Sequence, residues 1–398
     1  MVHLTVGSPV EGKDFYGRNE LIKLIWDRLE KNNLLLAAPR RFGKTSIMLN
    51  LRDNSRRNWR VFLLDTEWIK DPSEFIAELA AELSKESKAR EFFEKIWGKL
   101  KDSIDEVALA DFKIKLRNDI SVEWREKGRE LLKIVEAIDQ KLLFIVDEFP
   151  LMIKKMMDKD RKLAVNFLEW FRALRQGPNS LKNSRFIIGG SIGIERLINK
   201  LGAAYTVNDF EQIKVSTFSK NVATKFIKEL FKSEGHTVNH SVADKILELI
   251  GPPVPYYIQI LVSEMVKEAR LENVKISPEQ AVRVYKNRVL GVECKTYFDD
   301  YYQRLSRYYT PQEEKVVKAL LKELAKIDSI DSKNLFNIYM DASSQEGSHD
   351  DFALLMNDLV RDFYAEFDTE NHTYSFTSKV LKDWWLIHYR LFDEGVQR

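Results

Sequence analysis

Gly43, Lys44 and Thr45 close a stretch, Ala38-Pro39-Arg40-Arg41-Phe42-Gly43-Lys44-Thr45-Ser46, that follows the phosphate-loop pattern G-x-x-x-x-G-K-[ST] everywhere but at its first position. Such a spacing implies electrostatic chemistry on a nucleoside triphosphate, ATP or GTP. Backbone N–H groups around Gly43 can cradle phosphates, the Lys44 ammonium can reach the β and γ oxygens, and the Thr45 hydroxyl can ligate Mg²⁺. Pro39, Arg40, Arg41, Phe42 and Ser46 complete the nucleotide-contacting loop. Ala38 stands where the pattern has glycine, and its methyl group is tolerated there while φ stays negative.

A second constellation is Leu142-Leu143-Phe144-Ile145-Val146-Asp147-Glu148-Phe149-Pro150, five apolar residues ending in two carboxylates. The acids should emerge at the C-terminal edge of a buried strand, where open α/β sheets bind ligands. Asp147 would hold Mg²⁺ through its water shell, and Glu148 would polarise the water that attacks the γ-phosphate. Farther on, Arg185-Phe186-Ile187-Ile188-Gly189-Gly190-Ser191 reads as a strand ending in a small polar residue. Ser191 is placed to touch the γ-phosphate or the attacking water; the plain alternative is an ordinary turn.

These residues need strands to carry them. Short apolar runs at Asn33–Ala37, Arg60–Asp65, Leu142–Asp147, Arg185–Gly190 and Gln212–Val215 alternate with amphipathic stretches, which predicts a parallel sheet covered by helices. The fold class is therefore α/β, with a three-layer α/β/α core. A long Lys- and Glu-rich segment, Ser73 to Gln140, reads as helical cover for the sheet, or alternatively as a partner surface. Beyond residue 216 the strand signals stop. Asn221–Glu234, Ser241–Ile250, Pro255–Leu271 and Pro278–Val289 read as a small helical bundle, broken by Gly251, Pro252, Pro253 and Pro255. A helix after the cap Thr310, another near Asp331–Met340 and a third over Ser348–Phe363 precede two strand-like runs, Tyr364–Asp368 and Thr373–Thr377, and a last helix holding Trp384 and Trp385. Helices followed by a hairpin form the winged-helix pattern. The expected domains are a core over 1–216, a helical lid over 217–294 and a winged-helix-like domain over 295–398.

With 44% hydrophobic residues, 31% charged and 10 prolines, the 398-residue chain reads as folded throughout, and its length suits several domains. No basic start precedes an apolar run, and no transmembrane stretch is legible, so the expected compartment is the cytoplasm. The single cysteine, Cys294, cannot form an internal disulfide. His236 and His240 lack the Cys or acidic companions of a metal site and read as a solvated turn. The net charge of +2 conceals an asymmetry: residues 295–398 hold 13 Lys and Arg against 19 Asp and Glu, a net of −6, and the rest carries +8.

Phe15-Tyr16-Gly17-Arg18-Asn19-Glu20-Leu21, Pro39–Ser46, Val146–Pro150 and Gly190-Ser191 together resemble the AAA+ and STAND group of P-loop ATPases, most nearly its archaeal-type members. The resemblance implies that Tyr16, Gly17 and Arg18 line the adenine side. Gly251-Pro252-Pro253-Val254-Pro255-Tyr256-Tyr257 is similar to the family's lid signature, which implies a nucleotide contact at Pro255. A lid followed by a winged helix is also the family's layout. Arg172, Arg175 and Arg196 are candidates for an arginine acting across a subunit contact, with oligomerisation on ATP binding.

Two functions fit. The first is a nucleotide-controlled switch whose C-terminal domain binds a protein partner. The second is a DNA-associated ATPase gripping duplex with the winged helix. Asp350, Asp351, Asp358 and Asp362 on the helix that would enter the groove, and Glu366, Asp368 and Glu370 on the wing, would repel phosphates and favour the first. Lys95, Lys99, Lys101, Lys113 and Lys115 could still offer a basic face.

Overall fold

The computed structural model describes residues 2–85, 123–136, 140–178, 180–190 and 194–389. It divides into two compact units, one comprising Arg18–Ala38 and Lys44–Val215, the other Met1–Gly17, Pro39–Gly43 and Ser216–Arg398. The phosphate-loop stretch Pro39–Gly43 thus belongs with the C-terminal unit, while the residues on either side of it belong with the first.

The first unit is built on β1 (Asn33–Ala37), β2 (Trp59–Asp65), β3 (Lys141–Asp147), β4 (Ser184–Gly190) and β5 (Phe210–Lys214). All pair in parallel, in the order β2-β3-β4-β1-β5. The sheet follows from the sequence because β3 is buried from Leu142 to Asp147, as a strand covered on both faces must be. Helices α1 (Asn19–Leu29), α2 (Lys44–Asp53), α3 (Pro72–Ser84), α4 (Trp124–Glu136), α5 (Phe149–Lys159), α6 (Arg161–Arg175) and α7 (Ile194–Leu201) accompany it. On one side, Phe75, Phe149, Phe167 and Phe171 pack in an aromatic core with Phe144 and Phe186 of the strands. This is the three-layer α/β/α core of a P-loop NTPase. The ends of the predicted helical stretch between β2 and β3 appear as α3 and α4; its middle, including Lys95, Lys99, Lys101, Lys113 and Lys115, lies outside the described residues.

The second unit is mainly helical. Helices α8 (Lys220–Ser233), α9 (His240–Ile250), α10 (Pro255–Glu272) and α11 (Pro278–Val284) begin at Ser219, Asn239, Val254 and Ser277, and the three polar residues cap them through side-chain oxygens. A π turn, Tyr285–Val289, continues α11 to the end expected for that helix. Helix α12 (Lys295–Tyr308) occupies a stretch where the sequence predicts no element. Then come α13 (Pro311–Lys326), opened by a reciprocal capping box between Thr310 and Glu313, α14 (Ser332–Ala342) and α15 (His349–Arg361). A hairpin of β7 (Ala365–Asp368) and β8 (Thr373–Phe376) is joined on β8 by a short strand β6 (Ile330–Asp331), and α16 (Lys379–Tyr389) closes the described chain. Tyr257, Tyr301, Tyr364, Trp384 and Trp385 are fully buried and make the aromatic centre of this unit. The Gly251 turn has φ +74°, and a Cβ there would lie 3.1 Å from Lys379 Cβ, so glycine is needed where the turn between α9 and α10 meets α16.

Among the described residues no helix is long and apolar enough to cross a membrane. Cys294 is fully buried, and burial pushes its thiol up to about 12. Because only the thiolate reacts, Ellman's reagent at pH 8 should leave the native protein unlabelled and titrate a single thiol per chain after unfolding. Prompt labelling of native protein would contradict this packing.

Candidate functional site

In the first unit the chain leaves β1 at Ala37 and enters α2 at Lys44. Lys44 is buried, with its ammonium 3.4 Å from the Ala38 carbonyl oxygen. On the next residue, the Thr45 hydroxyl donates to Asp147 Oδ2 at 2.8 Å, although the two lie 102 positions apart. Asp147 is fixed on its other side as well. Its Oδ1 accepts the Glu148 N–H at 2.9 Å, and its backbone carbonyl accepts both the Thr66 hydroxyl at 2.6 Å and the Thr66 N–H at 3.3 Å. A hydroxyl and a carboxylate thus converge from two motifs, a hard-oxygen pair of the kind Mg²⁺ takes. Glu148 has φ 53° and ψ 30°, a left-handed conformation that costs a non-glycine residue about 1–3 kcal/mol and persists only where its surroundings enforce it. Pro150, in the first turn of α5, fixes the chain just beyond it.

β4 lies between β1 and β3, and its last two residues are what let the motifs approach. Leu36 faces Gly189 and Ala37 faces Gly190 in register. A Cβ on Gly189 would meet Met48 Cε of α2 at 2.2 Å, and a Cβ on Gly190 would meet Pro150 Cδ at 2.2 Å. Neither glycine carries a packing role in the motifs read from the sequence. Their doublet at a strand end was a signal of close approach.

Within the second unit, Pro39–Gly43 is gripped at successive residues. Arg40 Nε lies 2.9 Å from Asp300 Oδ2, an ion pair without hydrogen-bond alignment, since that oxygen makes no hydrogen bond. The Arg40 carbonyl accepts from the Tyr301 hydroxyl at 3.2 Å. Arg41 has φ 71°, donates from Nη1 to the Gly7 carbonyl at 2.7 Å, and sets its guanidinium 4.6 Å from the Tyr256 ring centre. Phe42 is buried and meets Phe363 edge-on at 4.6 Å. Gly43 has φ 85°, which needs no side chain to hold it. Left-handed residues at Arg41 and Gly43 curl the loop in the manner that turns successive N–H groups toward an anion.

In the second unit Tyr16 packs against Phe226 at 5.2 Å and Phe218 at 6.5 Å, and burial raises its phenol. Gly17 has φ +68°, and a Cβ there would meet Val222 Cγ1 at 2.6 Å. Arg18, in the first unit, is buried ahead of α1, and desolvation lowers its guanidinium to about 10. Pro255 starts α10, following the Phe218 N–H bond to the Pro253 carbonyl at 3.0 Å. Ser46 is buried on α2. Ser191 lies outside the described residues. Of the arginine candidates, Arg175 is spent internally. Its side chain is fully buried, paired with Asp209 at 2.8 and 2.9 Å, bonded to the Phe171 and Thr206 carbonyls, and stacked on Phe171 and Phe210. Arg172 bonds Gln176 at 3.0 Å and lies 5.5 Å from the Tyr205 ring centre.

Because Pro150 is a rigid ring and Met48 Cε the end of a flexible chain, Gly190→Ala should destabilise the fold by about 1–3 kcal/mol, and Gly189→Ala by less. Thermal unfolding of the two variants checks this; equal melting temperatures for Gly190→Ala and the parent would contradict the packing described.

No protein-family model matches the chain, and no curated protein matches it in sequence. Among solved structures it is similar to a Walker-type ATPase of Pyrococcus abyssi, at 18% identity over 96% of this chain and 99% of that one, with a TM-score of 0.64. It is also similar to the ORC2 protein of Aeropyrum pernix in its ADPNP–ADP complexes, at 10% identity over 97% of this chain and 96% of that one, with a TM-score of 0.50. At such identities the likeness is one of fold: a P-loop NTPase core followed by a helical C-terminal region.

Proposed function

We propose that this chain is a Mg²⁺-dependent ATPase of the AAA+ and STAND group, acting as a nucleotide-controlled switch with a C-terminal domain that binds a protein partner. The observation that carries the reading is the 2.8 Å bond between Thr45 and Asp147, which joins the phosphate-loop helix to the acidic strand. Lys44, the loop backbone from Pro39 to Gly43 and the first turn of α2, including Ser46, bind the triphosphate. Thr45 and Asp147 would hold Mg²⁺, which when bound neutralises charge on the phosphate oxygens. Glu148, held in its strained turn, takes a proton from the attacking water, and Ser191, which lies outside the described residues, keeps the role its sequence position suggests, at the γ-phosphate or the attacking water. Tyr16, Gly17, Arg18 and Pro255 belong to the base side in this reading. In this reading the domains are the core over 1–216, a lid over 217–294 and a winged helix over 295–398, the compartment is the cytoplasm, and the chain assembles on ATP binding.

Surface chemistry supports a protein rather than DNA on the C-terminal domain. Asp358 and Asp362 are buried, so the exposed acids of α15 and the hairpin are Asp350, Asp351, Glu366, Asp368 and Glu370. Among them Leu354 is 60% exposed and Phe367 36% exposed. Acidic groups around apolar side chains suit a partner with basic and apolar groups and repel a phosphate backbone. DNA binding remains the second reading, and a gel shift with duplex at moderate salt, with and without ATP, decides between them: tight, salt-sensitive binding reverses the order.

Lys44→Ala should abolish nucleotide binding or turnover. Glu148→Gln should keep ATP binding and lower phosphate release by about 100-fold or more. Release by Glu148→Gln at the parent rate would remove Glu148 from its assigned role.

A further inference from the structure

We infer that Asp300 and Tyr301 of α12, with Tyr256 and Phe363, are positioning residues that hold the phosphate loop in its anion-receptive curl, so that nucleotide affinity depends on the C-terminal unit. The inference rests on the nucleotide site proposed above. Three consecutive loop residues are each engaged by that unit: Arg40 by Asp300 and Tyr301, Arg41 by Gly7 and Tyr256, Phe42 by Phe363. The middle one is a non-glycine residue at φ 71°, a conformation that relaxes unless neighbours enforce it. Both neighbours of Arg41 are pinned, and so is its own guanidinium.

The grip is anchored deep in the unit. Tyr301 is fully buried, and its backbone carbonyl accepts the Tyr364 hydroxyl at 2.5 Å, while Phe363, the next residue back, touches Phe42. Tyr257 and Phe298 stack at 6.0 Å, and Phe298 packs on Trp384, fixing α12 against α10 and α16. The same short run, Phe363-Tyr364, leads into the hairpin beside α15. Any rearrangement of the hairpin that shifts Tyr364 therefore reaches the Arg40 carbonyl through one residue. By linkage, nucleotide held on the curled loop stabilises the α12 contacts to the same extent that those contacts strengthen nucleotide binding.

The test uses the full chain and titrates a fluorescent ADP analogue with Mg²⁺ against the parent, Tyr301→Phe, Asp300→Asn, Arg40→Ala, the Arg40→Ala/Asp300→Asn pair and Lys44→Ala. Tyr301→Phe removes only the hydroxyl that bonds the loop, and Asp300→Asn only the charge. Each should weaken binding about fivefold or more, a coupling of ordinary allosteric size. Their thermal unfolding without nucleotide should match the parent, and their turnover at saturating ATP should be unchanged, separating positioning from misfolding. Asp300→Asn should add nothing in the Arg40→Ala background. If Lys44→Ala abolishes binding but Tyr301→Phe and Asp300→Asn bind within twofold of the parent, the inference fails and the site stands. If Lys44→Ala binds as the parent does, the site itself is misassigned and the inference falls with it.

Discussion

A loop that cradles phosphate must leave a buried strand, curl through left-handed residues and enter a helix within a few peptide units. Here the curl passes through Arg41 and Gly43, and only the second is a residue that adopts such a conformation without strain. Everything else in the candidate site is arranged around that constraint. The β1 strand fixes where the loop begins, α2 fixes where it ends, and the contacts to Arg40, Arg41 and Phe42 supply what glycine would have supplied between them.

The acidic partner is fixed by the sheet in a different way. Asp147 can meet Thr45 across an intervening strand because β4 ends in two residues without side chains. Met48 and Pro150 occupy the volume that Cβ atoms would have taken, so α2 and α5 close on the strand ends together. Glu148 follows at once in a left-handed turn, and Thr66 on the far side holds the Asp147 carbonyl. Packing density, more than any one hydrogen bond, sets this geometry.

Much of this was legible in the sequence. The core strands read correctly to within one or two residues because strands buried on both faces appear as apolar runs, and the phosphate and acidic motifs are local patterns whose chemistry depends on residue type and spacing. Thr310 announced its helix for the same reason, since a capping box is a four-residue event. What could not be read depends on partners distant in sequence. Asp300 and Tyr301 sit on a helix, KTYFDDYYQRLSRY, whose aromatic and acidic residues give a weak helical signal, and Tyr301 meets Arg40 from 261 positions away. The role of Gly190 depends on the Pro150 ring, and that of Arg175 on Asp209, neither of which any local pattern reveals. Burial of Asp358 and, just past α15, of Asp362 likewise leaves Asp350 and Asp351 as the exposed acids of that helix.

If the contacts to Arg40, Arg41 and Phe42 hold the loop for nucleotide, the loop and the C-terminal unit respond to nucleotide together. Backbone hydrogen exchange, followed peptide by peptide with and without ADP and Mg²⁺, tests it most directly. The expected result is slower exchange both in the loop and first turn of α2, residues 38–48, and in α12, Lys295–Tyr308. Protection confined to the loop, with α12 exchanging at the same rate in both conditions, would contradict the account.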